Sequence, residues 1–183
     1  IALITGSCRG IGKGIALRLA REGMKIVIHG LDAAEVEGTT EEFKALDIEV
    51  IGVQADFTDE SAINRLFQQT LDHFGTVDLL VNNASSFFPV AMGAIEASHW
   101  EELVGSNLRA PLFIAQEAAP ELARQEGSIV NIVDIHAERP LKGYLVYSVA
   151  KSGLAALTRA LALELAPAVR VNAVAPGAIA WPE

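Results

Sequence analysis

Tyr147 and Lys151 stand four residues apart in Tyr147-Ser148-Val149-Ala150-Lys151. On a helix that spacing sets both side chains on one face. An ammonium beside a phenol favours the phenolate and brings the tyrosine down from a pKa of about 10 toward the range useful for proton transfer. Lys151 would also be able to hydrogen-bond a ribose hydroxyl. Taken alone, the pair reads as an ordinary exposed helix contact, because such pairs are common. Its place after the fifth apolar run, at the carboxyl edge shared with a glycine-rich loop, is what points to a site.

That loop is Thr5-Gly6-Ser7-Cys8-Arg9-Gly10-Ile11-Gly12, between the first apolar run and the first helical period. There a glycine-rich turn brings backbone N–H groups and a helix N-terminus against a pyrophosphate. Gly6 permits the tight turn, Gly10 lets the backbone approach the ligand, and Gly12 allows close packing of helix and strand. Sites that prefer NAD carry an acid at the end of the second strand for the ribose 2′-hydroxyl. Here that strand ends in His29-Gly30-Leu31, and Gly30 occupies the acid's place. Arg9 is expected to pair with a 2′-phosphate, which predicts NADP(H); Asp32 as the ribose acid is the competing reading. Asp56, followed by Phe57 just past the third strand, either meets the adenine or caps its loop. Asn82-Asn83-Ala84 closes the fourth strand on the edge where ligands bind in open α/β sheets.

The elements that must position these residues follow from periodicity. Short β-branched runs alternate with longer segments of helical period, the mark of βαβ units around a parallel sheet. Strands are expected at Ile1–Thr5, Lys25–His29, Glu49–Gln54, Asp78–Asn82, Ser128–Val133 and Arg170–Ala175. Helices are expected at Ile11–Glu22, Ala34–Leu46, Glu60–Phe74, His99–Arg124 with a break near Asn107, and Tyr147–Leu165, with Asp59 and Ser98 as N-caps. The strands are apolar on both faces, so helices should cover each side. One doubly wound α/β domain spanning residues 1–183 accounts for this order.

Composition narrows the function. A formal net charge of −9 argues against nucleic acid, which needs a basic footprint. Cys8 is the single cysteine, so neither an internal disulfide nor a cysteine-cluster zinc site can form, and no metal is expected. No apolar run reaches the roughly 18 residues that span a bilayer, and no charged n-region precedes the first apolar stretch. A soluble protein of a reducing, cytoplasmic compartment is expected. The chain opens at Ile1 inside a strand, as a trimmed sequence would.

Taken together, Thr5-Gly6-x-x-x-Gly10-x-Gly12, Asn82-Asn83-Ala84, Asn107, Tyr147-x-x-x-Lys151 and Pro176-Gly177 resemble the short-chain dehydrogenase/reductase family over essentially the whole chain. The resemblance implies a Rossmann-like, three-layer α/β/α fold. It also implies Tyr147 as acid/base, Lys151 lowering its pKa and binding ribose, and Asn107 positioning a relay water. The cofactor site would take Gly6, Ser7, Arg9, Gly10, Ile11, Gly12, His29, Gly30, Asp56, Phe57, Asn83, Ala84, Ser85, Tyr147, Lys151, Pro176, Gly177 and Ile179. Family members continue past Pro182 into a substrate-covering helix and a further strand, and assemble as homotetramers.

One departure narrows the resemblance. The family carries a serine thirteen residues before the tyrosine, and this chain has Asp134. With Asn83-Ala84-Ser85-Ser86-Phe87, Leu108-Arg109-Ala110-Pro111 and the terminal Pro176-Gly177-Ala178-Ile179-Ala180-Trp181-Pro182-Glu183, it is similar to the pteridine reductases. These reduce a C=N bond of dihydropterins, and some reduce dihydrofolate. An Asp134–Tyr147 pair would then pass protons to ring nitrogen, Phe87 would stack on the pterin, and Ser85 would bind its polar edge. Against that, Gly10 stands where several pteridine reductases have an arginine. The rivals are a carbonyl reductase acting on a 3-oxoacyl thioester or a sugar, and a non-catalytic nucleotide-binding scaffold.

Overall fold

The computed structural model describes residues 1–177 and 179. Among these residues six strands alternate with helices: β1 (Ala2–Ile4), α1 (Gly10–Arg21), β2 (Ile26–Gly30), α2 (Ala33–Lys44), β3 (Val50–Gln54), α3 (Glu60–Phe74) and β4 (Leu79–Asn82). Then come α4 (Ala97–Val104), a π-helical turn at Gly105–Arg109, α5 (Ala110–Arg124), β5 (Ser128–Ile132), a 3₁₀ turn at Ile135–Ala137, α6 (Leu145–Glu164) and β6 (Arg170–Val174). All six strands are parallel, in the order β3-β2-β1-β4-β5-β6. The order reverses between β1 and β4, the switch point at which open α/β sheets carry their ligand crevice.

Alternation within the strands builds the layers. Leu3, Val27, Leu80 and Ile129 face one way and pack with Ile63, Leu66 and Phe67 of α3 and Ile114, Ala118 and Leu122 of α5. Their neighbours Ala2, Ile4, Ile26, Ile28 and Val81 face the other way, onto Ala16 of α1 and Phe43 of α2. Helical cover on both faces is why the strands read as continuous apolar runs. A polar seam crosses the sheet near the crevice: Asn82 Nδ2 donates to Asn131 Oδ1 across the β4–β5 register at 2.9 Å, and Asn131 Nδ2 donates to Thr158 Oγ1 of α6 at 2.9 Å.

Asp59 caps α3 as expected, accepting from the Ser61 N–H. Ser98 does not cap α4. The helix starts earlier, with Glu96 at the N-cap, because His99 Nδ1 accepts the Glu96 N–H at 3.1 Å and fixes the first turn ahead of Ser98. The expected break at Asn107 is an inserted residue within a continuous helical run, a π-bulge of the kind found often at functional sites. Helix α6 begins at Leu145, so Tyr147 lies within its first turn. No described helix is long and apolar enough to cross a membrane, and no group of three or more potential metal ligands occurs among the described residues.

Leu66 is fully buried between α3 and the sheet. Leu66→Ala removes packing that its neighbours cannot refill, and should cost about 2–5 kcal/mol in urea unfolding followed by circular dichroism. A loss below about 1 kcal/mol would show that this layer re-forms without it.

Candidate active site

The crevice begins where β1 ends. Thr5 Oγ1 accepts the N–H groups of both Asn83 and Ala84 at 2.9 Å, and Asn83 Nδ2 donates back to the carbonyls of Thr5 and Gly6, also at 2.9 Å. These bonds lash the loop after β1 to the end of β4. A Cβ on Gly6 would stand 2.8 Å from Ala84 Cα, and one on Gly12 would stand 2.3 Å from the Gly6 oxygen. Gly6 and Gly10 also adopt left-handed φ of +61° and +56°, which glycine alone takes without strain. At Gly10 a Cβ would meet nothing within 4 Å, so this turn leads into the start of α1 as an open cradle. Backbone N–H groups at such a helix start fit a dinucleotide pyrophosphate.

Beneath the loop, His29 Nδ1 accepts the Gly6 N–H at 3.0 Å and Nε2 contacts the Ala55 carbonyl at 3.0 Å. Its ring stacks on Phe57 with centroids 4.3 Å apart. Ser7 is equally enclosed: its hydroxyl donates to the Ile4 carbonyl and accepts the His29 N–H. The side chains of His29 and Ser7 are thus turned into the protein, and Phe57 stacks on the His29 ring. A loop with left-handed turns has no ladder partners, so these polar groups satisfy it from below. Asp56 Oδ1 accepts both the N–H and the hydroxyl of Thr58, which makes it a turn-forming acid.

At the adenosine end, Gly30 has no room for a side chain. A Cβ there would meet Cys8 Sγ at 2.7 Å and Val36 Cγ2 at 3.1 Å. Asp32 caps α2 by accepting the Glu35 N–H, so its carboxylate is committed to the helix. Arg9, with 84 % of its side chain exposed, pairs with Glu35 at 3.2 Å. Sequence reasoning missed Glu35, although Asp32-Ala33-Ala34-Glu35 is a helix-start pattern that carries an acid into the first turn.

At the other end, the Tyr147 hydroxyl donates to Asp134 Oδ2 at 2.7 Å, while Asp134 Oδ1 accepts the His136 N–H. Burial, then the hydrogen bond to Asp134 and its negative charge, push the phenol far above its ordinary value; a contact with Ser85 acts the other way. The direction of this shift is set by burial and Asp134. The Lys151 ammonium donates to the Ile132 carbonyl at 2.9 Å and stands 5.8 Å from the centre of the tyrosine ring. Burial pulls Lys151 down to about 8, with the Asp134 carboxylate opposing that fall.

Asn107 is buried on the π-bulge. Its Oδ1 accepts from Ser85 Oγ at 2.7 Å, and its Nδ2 donates to the carbonyls of Ser86 and Leu103. The side chain is occupied in shaping the loop after β4. Phe87 is 53 % exposed, stacks on Tyr144 at 4.5 Å and meets Tyr147 edge-on at 4.8 Å. Tyr144, three residues before Tyr147, had no signal in the sequence beyond its aromatic type. Ile135 N–H donates to the Pro176 carbonyl, which brings Pro176 and Gly177 to the same edge; Ile179 is exposed. Ala178 and Ala180 to Glu183 of the terminal motif lie outside the described residues.

Residues 1–182 match the family described as short chain dehydrogenase. Among curated relatives, the chain is 39 % identical to a (2S)-[(R)-hydroxy(phenyl)methyl]succinyl-CoA dehydrogenase subunit of Thauera aromatica, covering 100 % of this chain and 74 % of that protein. A putative ketoacyl reductase of the granaticin polyketide synthase from Streptomyces violaceoruber is also 39 % identical, with the same coverage. A 3-oxoacyl-[acyl-carrier-protein] reductase of Staphylococcus aureus is 34 % identical over 97 % of this chain and 74 % of its own length. Among solved structures, a putative gluconate dehydrogenase from Agrobacterium tumefaciens superposes with a TM-score of 0.91 at 38 % identity, covering 96 % and 70 % of the two chains. An alcohol dehydrogenase from Thermococcus sibiricus, complexed with 5-hydroxy-NADP, superposes with a TM-score of 0.92 at 26 % identity, covering 97 % and 76 %. None of these is described as a pteridine reductase.

Burial holds His29 neutral and lowers its pKa from 6.5 to about 4, only partly offset by the Ala55 carbonyl. Between those values the unfolded chain binds the proton and the folded one does not. The contribution to stability is therefore complete above pH 6.5 and is lost as pH falls toward 4, to an extent on the order of 3 kcal/mol. Urea midpoints between pH 6.5 and 5 should fall more steeply for the native protein than for His29→Gln. Parallel slopes would assign the acid limb to other groups.

Proposed function

The chain belongs to the short-chain dehydrogenase family, and from that premise we propose that it is an NADP(H)-dependent reductase in which Tyr147 protonates the oxygen of a 3-oxoacyl-type carbonyl. The observation that carries this reading is the Tyr147 hydroxyl, which donates to Asp134 Oδ2 at 2.7 Å at the carboxyl edge of the sheet. The names of the Thauera, Streptomyces and Staphylococcus relatives support a carbonyl or hydroxyl beside an acyl group as the substrate class. The Thermococcus structure supports NADP(H). When bound, the nicotinamide supplies hydride to the electrophilic carbon.

This chain's residues supply the rest. The Gly6–Gly12 cradle and the start of α1 hold the pyrophosphate, and Arg9 holds the 2′-phosphate once it leaves Glu35. Lys151 binds ribose from its place on the Ile132 carbonyl and sets positive charge beneath the phenol. With Asp134 ionised, Tyr147 is a poor acid, because losing its proton would place two anions side by side. In turnover the Tyr147 hydroxyl turns its hydrogen bond from Asp134 Oδ2 to the substrate oxygen, and the Lys151 ammonium offsets the negative charge left on the phenol. The substrate oxygen gains the phenolic proton, and a proton from solvent restores Tyr147. Asn107 holds Ser85 and the loop after β4 against this pair.

Asp134 and Phe87 favour a second reading, hydride transfer to the C=N bond of a dihydropterin or dihydrofolate. A pterin nitrogen needs a proton source of this kind, and the half-exposed Phe87 ring lies beside Tyr147 where a flat heterocycle would stack. A homotetramer working in the cytoplasm belongs to the same proposal, and light scattering yielding a monomeric mass would remove the tetramer.

NADPH oxidation with an acetoacetyl thioester, dihydrobiopterin and dihydrofolate side by side separates the two readings. We expect turnover of the thioester, abolished by Tyr147→Phe and kept by Asp134→Ser, which restores a hydroxyl to the family position. Turnover confined to the pterin, falling by about 10²–10⁴ in Asp134→Ser, would replace the carbonyl reading with the second one.

For the cofactor, NADPH should bind more tightly than NADH. Arg9→Ala should narrow that preference about tenfold, while Glu35→Gln, which frees Arg9, should widen it. Equal dissociation constants in the native protein would overturn the 2′-phosphate assignment.

A further inference from the structure

We infer that His29 is a positioning residue for cofactor binding, its imidazole setting the spacing between the Gly6 turn and the Ala55–Phe57 turn. The inference rests on the cofactor reading above, in which the Gly6 turn opens the cradle that holds the pyrophosphate.

The Gly6 N–H lies at a left-handed position, φ +61°, where no strand or helix supplies an acceptor. His29 Nδ1 meets it at 3.0 Å. An imidazole nitrogen that accepts must be unprotonated, so in the neutral ring Nε2 carries the hydrogen and donates it to the Ala55 carbonyl 3.0 Å away. Both bonds leave one rigid plane. The separation between the phosphate loop and the end of β3 is therefore set by the width of an imidazole. Phe57 clamps the plane's tilt, with centroids 4.3 Å apart and an interplanar angle of 7°. The backbone of the same residue adds two bonds to the loop: the His29 N–H donates to Ser7 Oγ at 3.0 Å and the Ser7 N–H donates to the His29 carbonyl at 2.9 Å.

With the residue only 2 % exposed, the ring does not touch a ligand and acts through the backbone it holds. Packing alone does not call for an imidazole here. The neighbours along β2 are Ile26, Val27 and Ile28, and an apolar residue would fill the same layer without the desolvation that holds this ring neutral.

Three substitutions dissect the ring. Phe keeps the shape and the stacking but leaves the Gly6 N–H and Ala55 carbonyl unpaired. Asn places an oxygen near Nδ1 and keeps the Gly6 link; Gln places its amide near Nε2 and keeps the Ala55 link. The experiment measures NADPH Kd by fluorescence titration, kcat and KM for NADPH with whichever substrate the native protein turns over, and Tm. His29→Phe should raise Kd and KM for NADPH by about tenfold, the order expected for orphaning a partly buried donor, with kcat at saturation within about twofold. His29→Asn should recover most of that loss and His29→Gln little of it, although the two have similar Tm. Should the Phe variant not fold, the Asn and Gln comparison decides alone. Native affinity in the Phe variant, or Asn and Gln losses that are equal and follow Tm, would overturn the positioning role. Failure of the native protein to bind either NADPH or NADH would overturn the cofactor reading itself, and this inference with it.

Discussion

Everything at the carboxyl edge of the sheet depends on how closely the loop after β1 is drawn against the end of β4. Thr5 and Asn83 exchange four hydrogen bonds with each other's backbone surroundings, and the resulting approach leaves no space for a Cβ at Gly6 or Gly12. The same contact aims the N-terminus of α1 into the crevice and sets where the loop carrying Ser85 and Phe87 begins. That loop is then held by Asn107 from the π-bulge, which extends the constraint from the phosphate cradle to Tyr147. The two halves of the site are thus parts of one hydrogen-bonded frame.

Electrostatics divides that frame into two ends with different tasks. At the adenosine end, a solvated guanidinium is balanced by Glu35, a pair of little net worth in water and easily exchanged for a phosphate. At the catalytic end, Asp134, Tyr147 and Lys151 are enclosed together, and the carboxylate rather than the ammonium makes the direct bond to the phenol. A phenol whose proton is held by a neighbouring carboxylate is a different arrangement from a phenolate stabilised by direct contact with lysine.

The enclosed polar groups beneath the cradle share one physical cause. A backbone that turns through left-handed conformations forfeits ladder partners, and each forfeited N–H or carbonyl must be met from a side chain once water is excluded. Ser7, His29 and Asn83 meet that demand. They sit in the segments expected to bind cofactor, yet their side chains are turned toward the protein.

The sequence by itself determined the layers and the location of the site. Alternating short apolar and long amphipathic segments admit little besides a doubly wound parallel sheet, and the strand-turn-helix setting of Gly6, Gly10 and Gly12 marks its ligand-binding edge. Asp59 as a cap was legible because capping is local. Tertiary structure decided which partner each polar group takes: Lys151 the Ile132 carbonyl, Tyr147 the Asp134 carboxylate, Arg9 the Glu35 carboxylate, Asn107 the Ser85 hydroxyl and His29 the Gly6 N–H. Spacing along a helix names neighbours only within a turn or so. These partners lie 13 to 26 residues away in the chain, so the choice among them belongs to the packing of β1, β2, β4 and β5 against one another.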